Sequence, residues 1–340
     1  MRRVFLQMMA MGTLAAAGLA IGCEKSSSDS ASAAKPAPPA STSKSEYVFG
    51  VIAKSQANPV FQAARTGAED AARELSAKHG VSIKIDWRTP NTEDAQQQAQ
   101  FIEQLVSLGV DGITVSCSDA AVLTGAINDA VDRGVSVATF DSDAPDSKRF
   151  AYYGINDEDA GRAVARELVN AMGQTGVVAI LAGNQSAPNL QTRVRGVKDE
   201  LSKHPGISVK DVYYHPETAP DAAAKVKDVQ VSNPDITGWA MVGGWPLFTE
   251  NALDGVADKA KVVSVDHLPE QLNYVRAGQV QALVGQDCYG WGYRTVEMLF
   301  DKVHENKSPA QVINNFDLSV VTTANVDEYA QTWNKWLGKK

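Results

Sequence analysis

Three aspartates directly behind a buried-strand pattern are the residues best suited to chemistry. Asp141, Asp143 and Asp146 lie in the segment "TFDSDAPDSKRFAYYG", immediately after the apolar run "VSVATF". Three carboxylates at the end of a strand are compatible with a metal-binding loop, a catalytic carboxylate pair, or a polar site for a neutral ligand. The spacing of neighbouring residues and the elements that carry them decide among these.

The metal-site interpretation fails on spacing. An EF-hand loop that begins at Asp141 requires glycine at its sixth position and glutamate at its twelfth. The chain has Asp146 and Tyr152 there. No His-Glu-x-x-His helix occurs and the five histidines are scattered; for His267, beside Asp266, a surface position is favoured over a ligand contact. We therefore expect no metal site and no cofactor.

The catalytic interpretation lacks its usual motifs. The sequence has no Gly-x-Ser-x-Gly elbow, no phosphate-binding Gly-x-x-x-x-Gly-Lys loop and no dinucleotide fingerprint. Two facing carboxylates could serve a glycosidase, but no feature of the sequence tunes one of them as an acid. A polar site for a neutral, hydroxyl-rich molecule remains, because carboxylates accept hydrogen bonds from hydroxyl groups.

The elements that must position these residues repeat the same rhythm twice. Apolar strand-like runs begin at residues 47, 81, 112 and 135, and a second set begins at 176, 207, 236 and 261. Helical patterns lie between them, which predicts parallel sheets built from right-handed strand–helix–strand units. The similar spacings predict an α/β fold of two similar parallel-sheet lobes.

The repeat places two aspartates at matching points. Asp141 follows the fourth strand of the first predicted lobe, and Asp266 follows the fourth strand of the second. Ligands of open α/β sheets bind beyond the carboxyl ends of the strands. If these ends face each other across a cleft, both aspartates contact one ligand from opposite sides. Helix capping is the alternative, and it suits Asp143 and Asp146 better.

Composition limits the partners. The 340 residues suffice for two domains, and the formal net charge of −8 argues against a basic nucleic-acid surface, so we expect no nucleic acid. Cys117 and Cys288 lie in apolar contexts, which favours free, partly buried thiols over a disulfide.

The N-terminus has the pattern of an export signal. "MRRVFLQMMAMGTLAAAGLAIGC" begins with Arg2 and Arg3, continues as an apolar stretch, and ends at Gly22-Cys23, so residues 1–22 are predicted to be a signal peptide. An uncleaved anchor helix is the alternative. Residues 20–23 resemble a lipobox, which implies acylation of Cys23, and "RRVFLQ" also resembles a twin-arginine signal.

The following segment, 23–45, is rich in Ser, Ala and Pro and predicts a flexible tether. The predicted location is periplasmic or extracytoplasmic, as a membrane-anchored lipoprotein. We expect contact with the membrane only through the lipid on Cys23.

From Tyr47 onward the chain resembles type I periplasmic sugar-binding proteins of the ribose- and glucose-binding group, the receptors of ABC importers. The resemblance is carried, in order, by "NPVF", "DSDAPDS", "QTRVRG", "VVSVDHLPE" and "ALVGQDCYGWG". It implies a non-enzymatic, monomeric protein that captures a monosaccharide, closes on it and delivers it to ABC permease subunits. A sugar-sensing co-receptor for a membrane kinase and an exported sugar-active enzyme are the alternatives.

The resemblance also implies domain bounds. The N-terminal lobe would comprise 46–154 plus 287–318, and the C-terminal lobe 155–286 plus 319–340. The three-segment hinge would lie near 154–156, 285–287 and 318–322.

It assigns site residues as well. Asn58 and Gln286 would hydrogen-bond the sugar, Phe61 would stack on it, and Arg193 would donate to it. The sequence departs from ribose-type members at Val60, Ser142 and Gly243, where they have phenylalanine, arginine and asparagine, and Trp245 would replace a stacking surface. The expected ligand-binding set is Lys54, Asn58, Phe61, Asp141, Ser142, Arg193, Trp245, Asp266 and Gln286. A neutral aldose such as glucose or xylose fits it best, because facing carboxylates repel an acidic sugar.

Overall fold

The structure is a computed structural model that describes residues 44–336, apart from the side chain of Lys335. The predicted signal peptide, Cys23 and most of the predicted tether lie outside the described residues. Among the described helices, none combines the length and the apolar character that a membrane span requires.

Strands and helices alternate along the described chain. The strands are β1 (Glu46–Ile52), β2 (Ser82–Trp87), β3 (Gly112–Val115), β4 (Ser136–Phe140), β5 (Ala151–Gly154), β6 (Gly176–Ala182), β7 (Ile207–Tyr214), β8 (Gly238–Met241), β9 (Lys261–Val265), β10 (Ala282–Gly285), β11 (Ile313–Asn315) and β12 (Ser319–Val321). The helices are α1 (Val60–His79), α2 (Ala95–Leu108), α3 (Ala120–Asp132), α4 (Asp157–Met172), α5 (Pro188–Leu201), α6 (Ala219–Ser232), α7 (Pro269–Arg276), α8 (Cys288–Glu305) and α9 (Val326–Trp336).

The strands form two six-stranded sheets with matching order. The first runs β11-β5-β4-β3-β1-β2 and the second runs β12-β10-β9-β8-β6-β7. Neighbouring strands are parallel except for β12, which pairs antiparallel with β10. All eight predicted strand runs are strands, and the prediction of an α/β fold with two parallel-sheet lobes is confirmed.

The central strands read as continuous apolar runs because both of their faces are covered. Every residue of β3 and β8 is buried, as expected for parallel strands with helices on both sides. Polar side chains that could contact a ligand therefore lie beyond the carboxyl ends of these strands rather than along them.

Glycines bring one helix pair of each lobe into backbone contact. A Cβ on Gly292 of α8 would lie 1.8 Å from the carbonyl oxygen of Ala64 in α1. In the second lobe, a Cβ on Gly161 of α4 would lie 2.0 Å from the carbonyl oxygen of Arg193 in α5. Only glycine permits such an approach, and the second pair fixes the depth at which Arg193 enters its lobe.

The chain passes between the two sheets three times. It leaves β5 at Gly154 and enters α4, which packs on β9, and it leaves β10 at Gly285 and enters α8, which packs on α1. The third passage is the short segment 316–318 between β11 and β12.

The C-terminal helix covers an unexpected buried histidine. Trp333 of α9 donates from Nε1 to Nδ1 of His267 at 2.9 Å, and both side chains are buried. Burial lowers the pKa of His267 to about 4, so the ring is neutral at neutral pH. The expected surface position of His267 is wrong, because α9 folds back over the loop after β9.

Candidate functional site

Asp141 and Asp266 lie at equivalent ends of the two sheets, directly after β4 and β9. Both have left-handed backbone conformations, with φ of 55° and 70°, which are uncommon for residues other than glycine. Hydrogen bonds within each lobe hold the two turns. Tyr152 Oη donates to the carbonyl oxygen of Asp141 at 3.0 Å, and the backbone N–H of Asp266 donates to the carbonyl oxygen of Val284 at 2.9 Å.

The carboxylate of Asp141 joins the two lobes. Ser116, which follows β3, donates from Oγ to Asp141 Oδ2 at 2.7 Å. From the other lobe, Asn189 in the first turn of α5 donates from Nδ2 to Asp141 Oδ1 at 3.3 Å. Asn189 was missed in the sequence, although it lies one helical turn before Arg193 and therefore on the same face of α5.

Arg193 is the central donor of the second lobe. Its Nε donates to Asp157 Oδ1 at 2.8 Å, one Nη to the carbonyl oxygen of Val242 at 3.1 Å, and the other Nη to Gln286 Oε1 at 2.9 Å. The same terminal nitrogen lies 3.9 Å from Asp141 Oδ1. Asp157 could not be recognised as a partner from the sequence, because the first turn of α4 has the pattern of an ordinary acidic helix start.

Burial and charge act against each other in this cluster. Burial raises the pKa of the Asp157 carboxyl to about 6, although Arg193 acts in the opposite direction. Burial also raises the pKa of Asp266. Burial opposes the charged form of Arg193, but the carboxylates of Asp157, Asp141 and Asp266 hold its pKa above the ordinary value. The guanidinium therefore stays charged and compensated.

Gln286 connects the arginine to the second aspartate. Its Nε2 donates to Asp266 Oδ1 at 2.5 Å, while its Oε1 accepts from Arg193. The backbone N–H of Gly244 donates to the other oxygen of Asp266 at 3.2 Å. Gln286 directly follows β10, so its amide orients Asp266 at the point where the chain passes from one sheet to the other.

Aromatic rings close the site. Phe61 of α1 and Trp291 of α8 line it from the first lobe, with ring centroids 5.9 Å apart, and Trp245 lines it from the second. A Cβ on Gly243 would lie 2.1 Å from Cζ3 of Trp245. The absence of a side chain at Gly243, one of the departures noted in the sequence, thus leaves room for this indole ring.

Together these groups surround one cavity between the lobes. Its lining contains Lys54, Asn58, Val60, Phe61, Asp141, Asn189, Leu190, Arg193, Glu217, Gly243, Trp245, Asp266, Gln286 and Trp291. The space left is about 20 Å³, enough for water but far below the roughly 300–1,000 Å³ of small-molecule sites. The polar side chains mostly bond to one another in this closed arrangement.

Lys54 lines the cavity, but its charge is already paired. Its Nζ lies 2.8 Å from Glu93 Oε1 in the same lobe and 3.4 Å from Glu217 Oε2 in the other. Burial opposes its charged form, yet the two glutamates raise its pKa above the ordinary value. The backbone N–H of Asn184 donates to the other oxygen of Glu217 at 3.0 Å. Glu217 follows β7 in a loop whose sequence, "HPETAP", carried no signal of a site.

Ser142 is the one expected site residue that does not line the cavity. Its backbone turns away after Asp141, and its carbonyl oxygen accepts from the N–H of Cys117 at 2.9 Å. Asp143 also lies outside the lining: its carboxylate binds the Arg149 guanidinium and accepts from Thr139 Oγ1 at 2.6 Å. These contacts pin the loop that presents Asp141.

Residues 49–307 match the family model described as "Periplasmic binding protein domain". The chain belongs to this family. Cys117 and Cys288 are both free and buried in this member.

The similar proteins and the similar solved structures are described as binding proteins. The chain is 27% identical over 159 residues to the ribose import binding protein of Bacillus subtilis; the match covers 47% of this chain and spans about half (49%) of that relative. It is 26% identical over 276 residues to the D-allose-binding periplasmic protein of Escherichia coli, which covers 76% of this chain and 85% of that protein. The crystal structure of an ABC transporter solute-binding protein from Burkholderia graminis in complex with D-arabinose superposes with a TM-score of 0.78 at 27% identity, covering 85% of this chain and 99% of that one.

Proposed function

We propose that this protein captures a neutral monosaccharide between its lobes, closes on it and delivers it to an ABC permease. The observation that carries the proposal is one cavity in which Asp141, Asp266, Arg193 and Gln286 meet three aromatic side chains from both lobes.

The chemistry of the lining suits a sugar. Carboxylates accept hydrogen bonds from hydroxyl groups, and guanidinium and amide groups donate to sugar oxygens. The indole N–H groups of Trp245 and Trp291 are buried, and neither has an acceptor within residues 44–336. Aromatic faces cover the apolar C–H faces of a pyranose ring. Charge-assisted hydrogen bonds of this kind contribute about 1.5–3 kcal/mol each.

The charge of the cavity supports a neutral ligand. Asp141, Asp157 and Asp266 surround the single guanidinium of Arg193, so the cluster carries an excess of carboxylates that repels an acidic sugar. The relatives named for ribose, D-allose and D-arabinose take neutral monosaccharides by their descriptions. This similarity supports the same ligand class here.

The closed arrangement must open for a sugar to enter. The remaining space of about 20 Å³ cannot hold a pyranose ring, and Asn189 of one lobe bonds to Asp141 of the other. We propose that 46–154 plus 287–318 move as one body and 155–286 plus 319–340 as the other. Bending would concentrate at the three passages between the sheets.

Location and partners rest on the sequence and on the family. The family supports an extracytoplasmic site of action. We propose export through the signal at 1–22, acylation of Cys23, and action as a monomer without enzymatic activity. The tether of 23–45 would then let the binding domain reach a permease in the same membrane.

Isothermal titration calorimetry on residues 24–340 tests the ligand class. The panel contains glucose, xylose, ribose, allose and arabinose, with glucuronic acid and sialic acid as charged comparators. We expect micromolar or tighter binding of at least one neutral aldose. Tight binding of an acidic sugar with no neutral sugar bound would refute the proposed ligand class.

A further inference from the structure

A second, larger cavity lies between the lobes beside the site already described. It is formed by residue 57 and residues 92–93 of the first lobe and by 183–186 and 214–218 of the second. We call it the outer chamber. Its volume is about 660 Å³, within the range of small-molecule sites, whereas the inner cavity holds about 20 Å³.

One layer of charged side chains separates the two spaces. Glu217 lines both of them, Lys54 lines only the inner cavity, and Glu93 lines only the outer chamber. The contact between Lys54 Nζ and Glu217 Oε2, at 3.4 Å, is long for a charged pair. This contact joins the two lobes, so separation of the lobes breaks it and opens the inner cavity toward the chamber.

His215 lines the chamber and has a buried ring nitrogen without a partner among the described residues. The residue is 5% exposed, and its Nδ1 lies 2.5 Å from the carbonyl oxygen of Pro216, which requires the proton on Nδ1. Nε2 then carries a lone pair, and it has no partner among the described residues. Burial lowers the pKa of His215, so the ring remains neutral. A buried acceptor left unpaired is destabilising, and a ligand hydroxyl that reached it would remove this cost.

The histidine also contacts the wall of the inner cavity. Its ring lies edge-on to Trp245, with centroids 5.1 Å apart and an interplanar angle of 74°. The chamber wall further contains Tyr214 and the backbone of Gly183, which is held close to Glu217. Amphipathic rings and neutral acceptors next to a sugar site are the groups that a second sugar ring requires.

We propose that the outer chamber is a second carbohydrate subsite, which holds the second ring of a neutral disaccharide whose first ring lies in the inner cavity. The inference rests on the proposed function. The glycosidic linkage passes between Lys54 and Glu217, and His215 Nε2 accepts from a hydroxyl group of the second ring. The carboxyl groups of Glu93 and Glu217 face the single ammonium of Lys54, so this layer offers no excess positive charge to an acidic second ring.

Calorimetry with monosaccharides and their disaccharides tests the subsite. The ligands are glucose and xylose, with cellobiose, maltose and xylobiose as the disaccharides. We expect at least one disaccharide to bind tenfold or more tighter than its monosaccharide. His215→Leu, which keeps the bulk but removes the acceptor, should abolish this gain and leave monosaccharide affinity unchanged.

A second variant controls for the chance that His215→Leu changes binding through misfolding. Ala57 is exposed and lines only the outer chamber, so Ala57→Trp should obstruct the chamber without disturbing the core, and its melting temperature should match the wild type. It should abolish disaccharide binding and spare the monosaccharide. Two results would overturn the subsite and leave the proposed function intact. The wild type could bind monosaccharides but no disaccharide, or its disaccharide affinity could be the same in both variants as in the wild type. Failure to bind any neutral sugar overturns both.

Discussion

Arg193 and Asp157 form a buried ion pair within the second lobe, with Nε 2.8 Å from Oδ1. Asp141, the carboxylate of the opposite lobe, lies 3.9 Å from the same guanidinium. The pair with Asp157 therefore persists when the lobes separate, and the positive charge of Arg193 is compensated in the open form too. Asp141 then keeps only the hydroxyl group of Ser116, because Asn189 and Arg193 both belong to the other lobe, and its carboxylate is available to a ligand.

The first prediction separates Asp141 and Asp266 from the exposed Asp146 in the same loop as Asp141. Asp141→Ala and Asp266→Ala should each weaken sugar binding by about 2 kcal/mol or more, because each leaves buried donors without an acceptor. That loss corresponds to roughly a thirtyfold rise in Kd. Asp146→Ala, measured by the same calorimetry, should bind as the wild type does. Equal losses in all three variants would contradict the assignment.

Asp143 should behave differently from its neighbours. Asp143→Ala leaves the guanidinium of Arg149, whose side chain is 5% exposed, without its carboxylate. Breaking a buried pair on one side is strongly destabilising, so thermal unfolding should show a lowered Tm. The Kd for the sugar should change less than in Asp141→Ala. A variant with wild-type Tm and no binding would instead place Asp143 at the ligand.

Gly243 is predicted to be essential for the position of Trp245. In Gly243→Ala the new Cβ would lie 2.1 Å from the indole ring, and such overpacking typically costs about 1–3 kcal/mol. Sugar affinity should fall as the ring moves. Gly125→Ala is the matched control, because Gly125 lies exposed on α3 with no atom near its Cβ position. If Gly243→Ala bound sugar with wild-type affinity, Trp245 would not be a ligand-contacting residue.

The fold followed from the sequence because period and spacing are local properties of the chain. Eight apolar runs at similar intervals required two parallel sheets, and strand ends then located Asp141 and Asp266. Asn189, Asp157 and Glu217 could not be found in this way. Their roles depend on how far α4, α5 and the loop after β7 project into the cleft, which close packing at Gly161 and contact between the lobes determine.

Ser142 was predicted to be a site residue, but it does not line the cavity. Its neighbours made it a plausible site residue, but the left-handed turn at Asp141, with φ of 55°, directs the next residue away from the cavity. His267 was misplaced for a similar reason, since the helix that buries it comes some sixty residues later in the chain. Both outcomes depend on three-dimensional neighbours that a local pattern does not contain.

The contribution of Glu217 and Asp157 to stability should fall as the pH rises from about 4 to 7, while the buried neutral His267, whose pKa is lowered to about 4, contributes in the opposite direction. Burial raises the pKa of Glu217 from 4.5 to about 7 and that of Asp157 from 3.8 to about 6. At these two carboxyl groups the folded protein therefore binds more protons than the unfolded chain in this window. The corresponding stabilisation is present below the unfolded pKa values and is lost as the pH passes the folded ones.

Thermal unfolding between pH 4.5 and 8 measures this effect. For Glu217 the change is on the order of 3 kcal/mol, since one pKa unit corresponds to about 1.36 kcal/mol. Glu217→Gln and Asp157→Asn keep the shape of the side chain but cannot ionise, so each should make the slope of Tm against pH more positive than in the wild type. An unchanged slope in both variants would mean that neither carboxyl has a raised pKa in the folded state.

Closure should follow sugar binding. A ligand that contacts Asp141 in one lobe and Asp266 in the other favours the form in which both contacts exist, because only that form provides its full binding energy. Small-angle scattering should therefore show a smaller radius of gyration at saturating sugar than without it. Asp266→Ala at the same sugar concentration should show less compaction, because fewer molecules bind sugar while the passages between the lobes are unchanged. Compaction of the variant equal to that of the wild type, or none in the saturated wild type, would argue against closure driven by contacts from both lobes.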